Sequence, residues 1–189
     1  MTTLMMYAGP ADEDSPAMRT GGLPLLPAGT EWPMCAECGA PQQFLAQLPL
    51  PDGPTLAVFM CADDPGMCDA WSAGGGANAV VVAKGDLVPL AAPAGETRLG
   101  EVSAVRLADF DGEYRDAFPN QEVLGQLGGE PAWIQNEETP NCPSCDHEME
   151  FVVQLEQGHD YRTEMNFGTG SAYVFACRPC GRGAFLFQC

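Results

Sequence analysis

Nine of the 189 residues are cysteines, and eight of them stand at spacings that suit a metal ion. Cys142-Pro143-Ser144-Cys145 and Cys177-Arg178-Pro179-Cys180 are C-x-x-C pairs with 31 residues between them. Two intervening residues let a tight turn aim both thiolates at one centre, and two such turns complete a tetrahedral four-sulfur shell. The first half offers Cys35-Ala36-Glu37-Cys38, then Cys61 and Cys68. Cys68 follows Cys61 by seven residues, so the insert 62–67 must loop out for the two to converge. A shell of sulfurs is more self-consistent for a soft-ligand site than one in which Asp64 or Asp69 replaces a thiolate. Two structural Zn²⁺ ions are therefore expected, on Cys142, Cys145, Cys177 and Cys180 and on Cys35, Cys38, Cys61 and Cys68. With every position taken by sulfur, neither ion keeps a site for water or substrate. The alternative is two groups of buried neutral thiols. The residue after each C-x-x-C (Gly39, Asp146 and Gly181) is expected to adopt positive φ.

Other reactive side chains are few. Cys189 is left over as a free thiol or a packed terminal residue. His147 follows Cys145 closely but faces a full ligand set, and His159 lies in a polar loop. Neither stands near a serine or cysteine in a nucleophile arrangement, and no phosphate-binding loop is present. The acidic pairs Asp63-Asp64 and Glu137-Glu138 read as solvated carboxylates. Gln47 and Gln154 sit inside apolar strands, where a buried amide must satisfy backbone groups; the expected place is where the two halves meet. Trp32 and Trp133 are expected to pack rather than to stack on a ligand.

The elements that must hold these cysteines are written twice. Gly21-Gly22-Leu23-Pro24 and Gly128-Gly129-Glu130-Pro131 each begin fourteen residues before the first cysteine of a pair. FLAQL (44–48) and FVVQL (151–155) follow each pair at the same constant offset of 107 residues. The pattern resumes as Val58-Phe59-Met60-Cys61 and Val174-Phe175-Ala176-Cys177, now 116 apart. Period-two patterning predicts strands over both Q-L segments, with Phe44, Ala46 and Leu48 on one face and Phe151, Val153 and Leu155 on the equivalent face. Further strands are expected at 56–59, 79–83, 102–107, 172–175 and 184–187, with one short helix over 119–127 capped by Gly128. Seventeen prolines and 22 glycines argue against long helices throughout. The expected fold is mainly β, two duplicated β/zinc-knuckle halves packed as one compact domain: a mobile tail 1–19, a first half 20–120 with an insertion, and a second half 121–189.

With 8 basic and 26 acidic residues the net charge is −18, which repels phosphate and argues against direct nucleic-acid binding. An apolar content of 46 % argues against disorder. Residues 1–15 lack the basic start and apolar run of a secretory signal, and no apolar stretch is long enough to span a bilayer. Many cysteines without an export signal point to reduced thiols in the cytoplasm.

GGLPLLPAGTEWP with FLAQLPL resembles the opening of the YwqG-like family, bacterial domains of unknown function. LGGEPAWIQ, CPSC, FVVQLE and the closing FGTGSAYVFACRPCGRGAFLFQC resemble that family's C-terminal part and the eukaryotic programmed-cell-death protein 2 family. The resemblance runs from Gly21 to Cys189 and is thin over 84–120. Unlike many YwqG-like members, this chain has metal-spaced cysteines in both halves. The eukaryotic family's association with escorting a new ribosomal protein implies, by analogy, a chaperone-like role. The reading that results is a zinc-stabilised, non-catalytic binding protein with a basic protein as partner. An enzyme using a pocket between the halves and a thiol-based redox sensor are the alternatives.

Overall fold

The computed structural model describes every residue except 52, 64–66, 95–96, 118–119, 121, 159, 161–164 and 166. Among the described residues, twelve strands and a single 3-10 turn, Tyr114–Ala117, make up the regular structure. The strands are β1 Thr2–Pro10, β2 Arg19–Thr20, β3 Leu25–Leu26, β4 Gln43–Pro49, β5 Thr55–Met60, β6 Asn78–Ala83, β7 Val88–Pro89, β8 Ser103–Phe110, β9 Val123–Leu127, β10 Glu150–Glu156, β11 Ser171–Cys177 and β12 Arg182–Gln188. Ten of them form one sheet in the order β12-β11-β10-β9-β1-β8-β2-β4-β5-β6, and β3 pairs with β7 beside it. The two ends, β6 and β12, lie against each other, so the sheet is a nearly closed barrel. Gly183 permits that closure: a Cβ there would stand 2.5 Å from Val80 Cγ1.

Alternation along each strand divides apolar residues between an inner and an outer face. Leu56, Val58 and Met60 of β5 join Ala172, Val174 and Ala176 of β11 in one central core. Ala57 and Phe59 face outward with Trp32 and Phe44, while Tyr173 and Phe175 face outward with Leu186 and Met149. The uniform face expected for FLAQL and FVVQL is corrected by a β-bulge. The β4–β5 register slips between Phe44 and Ala46, and the β10–β11 register slips between Phe151 and Val153. The extra residue flips the two phenylalanines outward and turns Leu45 and Val152 into the central core.

Two further expectations are overturned. Residues 1–19, read as a mobile tail, supply β1 in the middle of the sheet, between β8 and β9. Met5 points into the central core, while Leu4 and Met6 pack outward against Tyr114 and Val123. The helix expected over 119–127 is strand β9 across its described C-terminal part. Gly125 suits a strand here, because a Cβ would run into the Gln154 carbonyl of β10.

Candidate metal centres

Both clusters grow from one local turn, used twice. Cys35 N–H donates to the Ala40 carbonyl and Cys142 N–H to that of His147, each at 2.8 Å. Gly39 N–H closes on the Cys35 carbonyl at 2.9 Å, and Asp146 N–H on that of Cys142 at 2.8 Å. Short bridges, Met34 with Pro41 and Asn141 with Glu148, pin the two stems. The turn needs a left-handed residue where expected: φ is 75° at Gly39, 61° at Asp146 and 61° at Gly181. Strands β5 and β11 then deliver Cys61 and Cys177 to the open side of each turn.

The result is two groups of four sulfurs, Cys35/Cys38/Cys61/Cys68 and Cys142/Cys145/Cys177/Cys180, each with all its sulfurs within 4.8 Å of one another. Four sulfurs placed ~2.3 Å from a common centre stand about 3.8 Å apart. Cys38 Sγ lies 3.6 Å from Cys61 Sγ, and Cys145 Sγ lies 3.8 Å from Cys177 Sγ. The two groups therefore fit a tetrahedrally bound ion. Among the described residues, no carboxylate or imidazole belongs to either group. Asp69 instead caps the Ser72 N–H, His147 is exposed, and Asp64 and His159 lie outside the described residues.

Electrostatics also fits a cation. The Ser144 and Cys145 N–H groups aim at the Cys142 sulfur and bring its thiol down to about 7, against burial. Burial alone would raise Cys35, but the Cys38 and Glu37 N–H groups, at the equivalent positions, pull it below the ordinary thiol range. Other sulfurs of the two groups shift the opposite way. Cys180 is pushed up to about 12, chiefly by its neighbours Cys145 and Cys177, and burial leads the upward shift of Cys68. A divalent ion reverses this, since it lets all four sulfurs deprotonate together.

The first cluster carries a brace that spacing did not reveal. Ala36 N–H reaches the Gly76 carbonyl at 3.0 Å, Cys61 N–H reaches that of Ala77 at 2.6 Å, and Asp69 N–H reaches Glu37 Oε1 at 2.6 Å. A Cβ at Gly76 would stand 2.7 Å from Ala36 Cβ, so the run Gly74-Gly75-Gly76 was the legible signal. At the second cluster, Arg178 pairs with Glu150 at 3.0 Å, and Arg182 Nε reaches Ser144 Oγ at 3.1 Å.

The glutamines are buried as expected, but each serves its own half rather than a junction between halves. Gln47 Oε1 accepts the Leu25 N–H at 2.8 Å and Gln154 Oε1 accepts that of Ala132 at 2.9 Å. Trp32 packs edge-on to Phe59, and Trp133 lies over Tyr173 at 4.3 Å. Cys189 is exposed and apart from both clusters. A cleft of about 370 Å³ does lie between the halves, lined in part by Val82, Lys84, Ala176, Arg178 and Arg182. Cys177 lines the same cleft.

Fold and site thus define a mainly β protein with two four-cysteine groups able to hold metal. No family model matches the chain. It is 38 % identical over 66 residues to a Salmonella typhimurium protein named Uncharacterized protein YpfL; the match covers 35 % of this chain and 15 % of that protein. Among the described residues no helix is long and apolar enough to cross a membrane.

Proposed function

We propose that the protein is a zinc-stabilised, non-catalytic binding protein whose client is a basic protein, held in the manner of a chaperone-like escort. The observation that carries this reading is the full sulfur shell around each candidate ion. Metal so enclosed has no open position for water or substrate, and its contribution is to folding. The net charge of −18 supplies the second element, since a strongly acidic surface steers and shields a cationic partner. The resemblance to the programmed-cell-death protein 2 family agrees with an escort role. Reduced thiols and zinc suit a cytoplasmic setting.

The same reading takes the halves as copies of one unit. Support comes from hydrogen bonds related by the 107-residue offset. Gly21 N–H to Leu45 O recurs as Gly128 N–H to Val152 O, and Arg19 to Leu23 O recurs as Gln126 to Glu130 O. Affinity capture from cell extract at graded salt tests the function. The expected result is a basic protein that is retained at low salt and lost steeply as salt rises. Retention unchanged at molar salt would contradict it.

A further inference from the structure

The halves differ in how their glycine-rich loops are covered. In the first half, Gly22 N–H donates to the Gly100 carbonyl at 2.8 Å, and the Pro24 carbonyl accepts from Leu90 N–H at 2.9 Å. Strand β7 pairs with β3 along the same edge, joining Val88 to Leu26 and Pro89 to Leu25. The Val102 side chain closes over Gly22, where a Cβ would stand 2.5 Å from its Cγ2. Segments 88–90 and 100–102 of the chain itself therefore seal this loop, and Gly22 and Pro24 are buried.

In the second half the equivalent loop is bare. Gly129 and Pro131 correspond to Gly22 and Pro24, and among the described residues neither the Gly129 N–H nor the Pro131 carbonyl has a partner. Gly129 is exposed with nothing closer to its Cβ position than Gln126 Oε1 at 3.9 Å. In place of a covering strand there is a cleft of about 630 Å³ lined by Thr2, Gly112, Gln126, Gly129, Glu130 and Pro131, among others. Its sides also carry Glu113 and Arg115, and Arg115 is turned to the Trp133 carbonyl at 2.7 Å.

The geometry points to this cleft as a docking slot for an extended polypeptide segment of a partner protein. The segment repeats what 88–90 and 100–102 do in the first half: a carbonyl accepts from Gly129 N–H, an N–H donates to the Pro131 carbonyl, and small aliphatic side chains fill the cleft. Glu113 and Glu130 at its sides select basic flanking residues. This inference rests on the reading of the protein as a binder of basic clients and names where such a client's chain enters. Strand addition of this kind draws affinity from main-chain bonds and specificity from the side-chain contacts.

The test is backbone amide exchange of the full metal-loaded chain, with a synthetic peptide Lys-Leu-Gly-Ala-Val-Ser-Lys that copies segment 99–103, whose Gly100 carbonyl takes the Gly22 N–H, between two lysines and with Ala in place of Glu101. Saturating peptide is expected to slow exchange of the Gly129 amide about tenfold while leaving Gly22 unchanged. Glu130→Lys is expected to weaken the peptide about fivefold at low salt, and Glu122→Lys, on an exposed turn, to leave it within about twofold. No binding, or binding without protection at Gly129, overturns the slot. Protection that grows with protein concentration alone gives the slot to a second copy and overturns the partner assignment. A basic client that binds while Gly129 stays unprotected overturns the slot but leaves the proposed function standing. Peptide protection with no basic client at any salt does the reverse.

Discussion

The two sulfur clusters begin from one turn and end in different surroundings. Cys35, Cys61 and Cys68 are only 2 %, 6 % and 7 % exposed and belong to the central core shared by both halves. Cys142 and Cys177 are equally buried, but they pack with Met149, Tyr173 and Phe175 on the outer face of the second half. The second cluster is closed by a tight C-x-x-C turn. In the first, Cys68 follows Cys61 by seven residues, and the glycine run 74–76 lies against Ala36 and Asp69. A repeated ligand pattern thus specifies the local turn but not how much of the molecule leans on it.

Breaking one ligand in each cluster should expose that difference most strongly. A four-thiolate site contributes on the order of 10–16 kcal/mol in small zinc peptides, against the ~5–15 kcal/mol that holds a typical domain. Cys61→Ser is expected to leave no cooperative thermal transition. Cys177→Ser is expected to keep one, at lowered Tm, with one metal retained. Equal damage from both, seen by circular dichroism and metal content, would erase the contrast.

The next effect concerns β1, which joins the halves. Met5 is fully buried in the central core, so Met5→Ala should cost about 2–5 kcal/mol in denaturant unfolding. A tail would show no loss. The buried amides come third. Gln47→Leu and Gln154→Leu each orphan a backbone N–H, at roughly 1–3 kcal/mol. The larger loss is expected at Gln47, whose partner Leu25 is buried, whereas Ala132 is half-buried. Reversed order would contradict the idea that the first loop is the sealed one.

Smaller still is the pH dependence of Glu156. Burial raises its carboxyl above the ordinary range even though Tyr114, Ser171 and Gln154 donate to it. A raised carboxyl pKa means the folded state holds the proton more tightly, so its stabilisation is present below the unfolded value and is lost as pH rises through the folded one. Tm measured from acid to neutral pH should therefore fall relative to Glu156→Gln, with the two curves meeting at low pH. Parallel curves would place Glu156 in a solvated setting. The slightest effect is expected from Asp146→Gly, which relieves a left-handed residue and should add about 0.5–1 kcal/mol.

Legibility followed the range of the interactions. Cysteine spacing, positive φ after each C-x-x-C and the β4, β5, β10 and β11 strands are set within a few residues, and all were readable. Strand β1 was not, because its partners β8 and β9 lie about a hundred residues away and the acidic stretch after Pro10 suggests solvent. Strand β9 lacked an alternating pattern because its Gly125 answers to the close approach of β10. The bulges hid for a similar reason: one extra residue changes the face of Phe44 and Phe151 without changing composition. The open slot beside Gly129 could be found only by laying one half on the other.

Metal content of the purified reduced protein, read by elemental analysis beside the visible spectrum after Co²⁺ exchange, bears most directly on the paired clusters. Two ions per chain are expected, with the intense absorption of cobalt held by four thiolates in a tetrahedron. Folded protein with no bound metal, or cobalt spectra of oxygen-rich octahedral sites, would contradict the account.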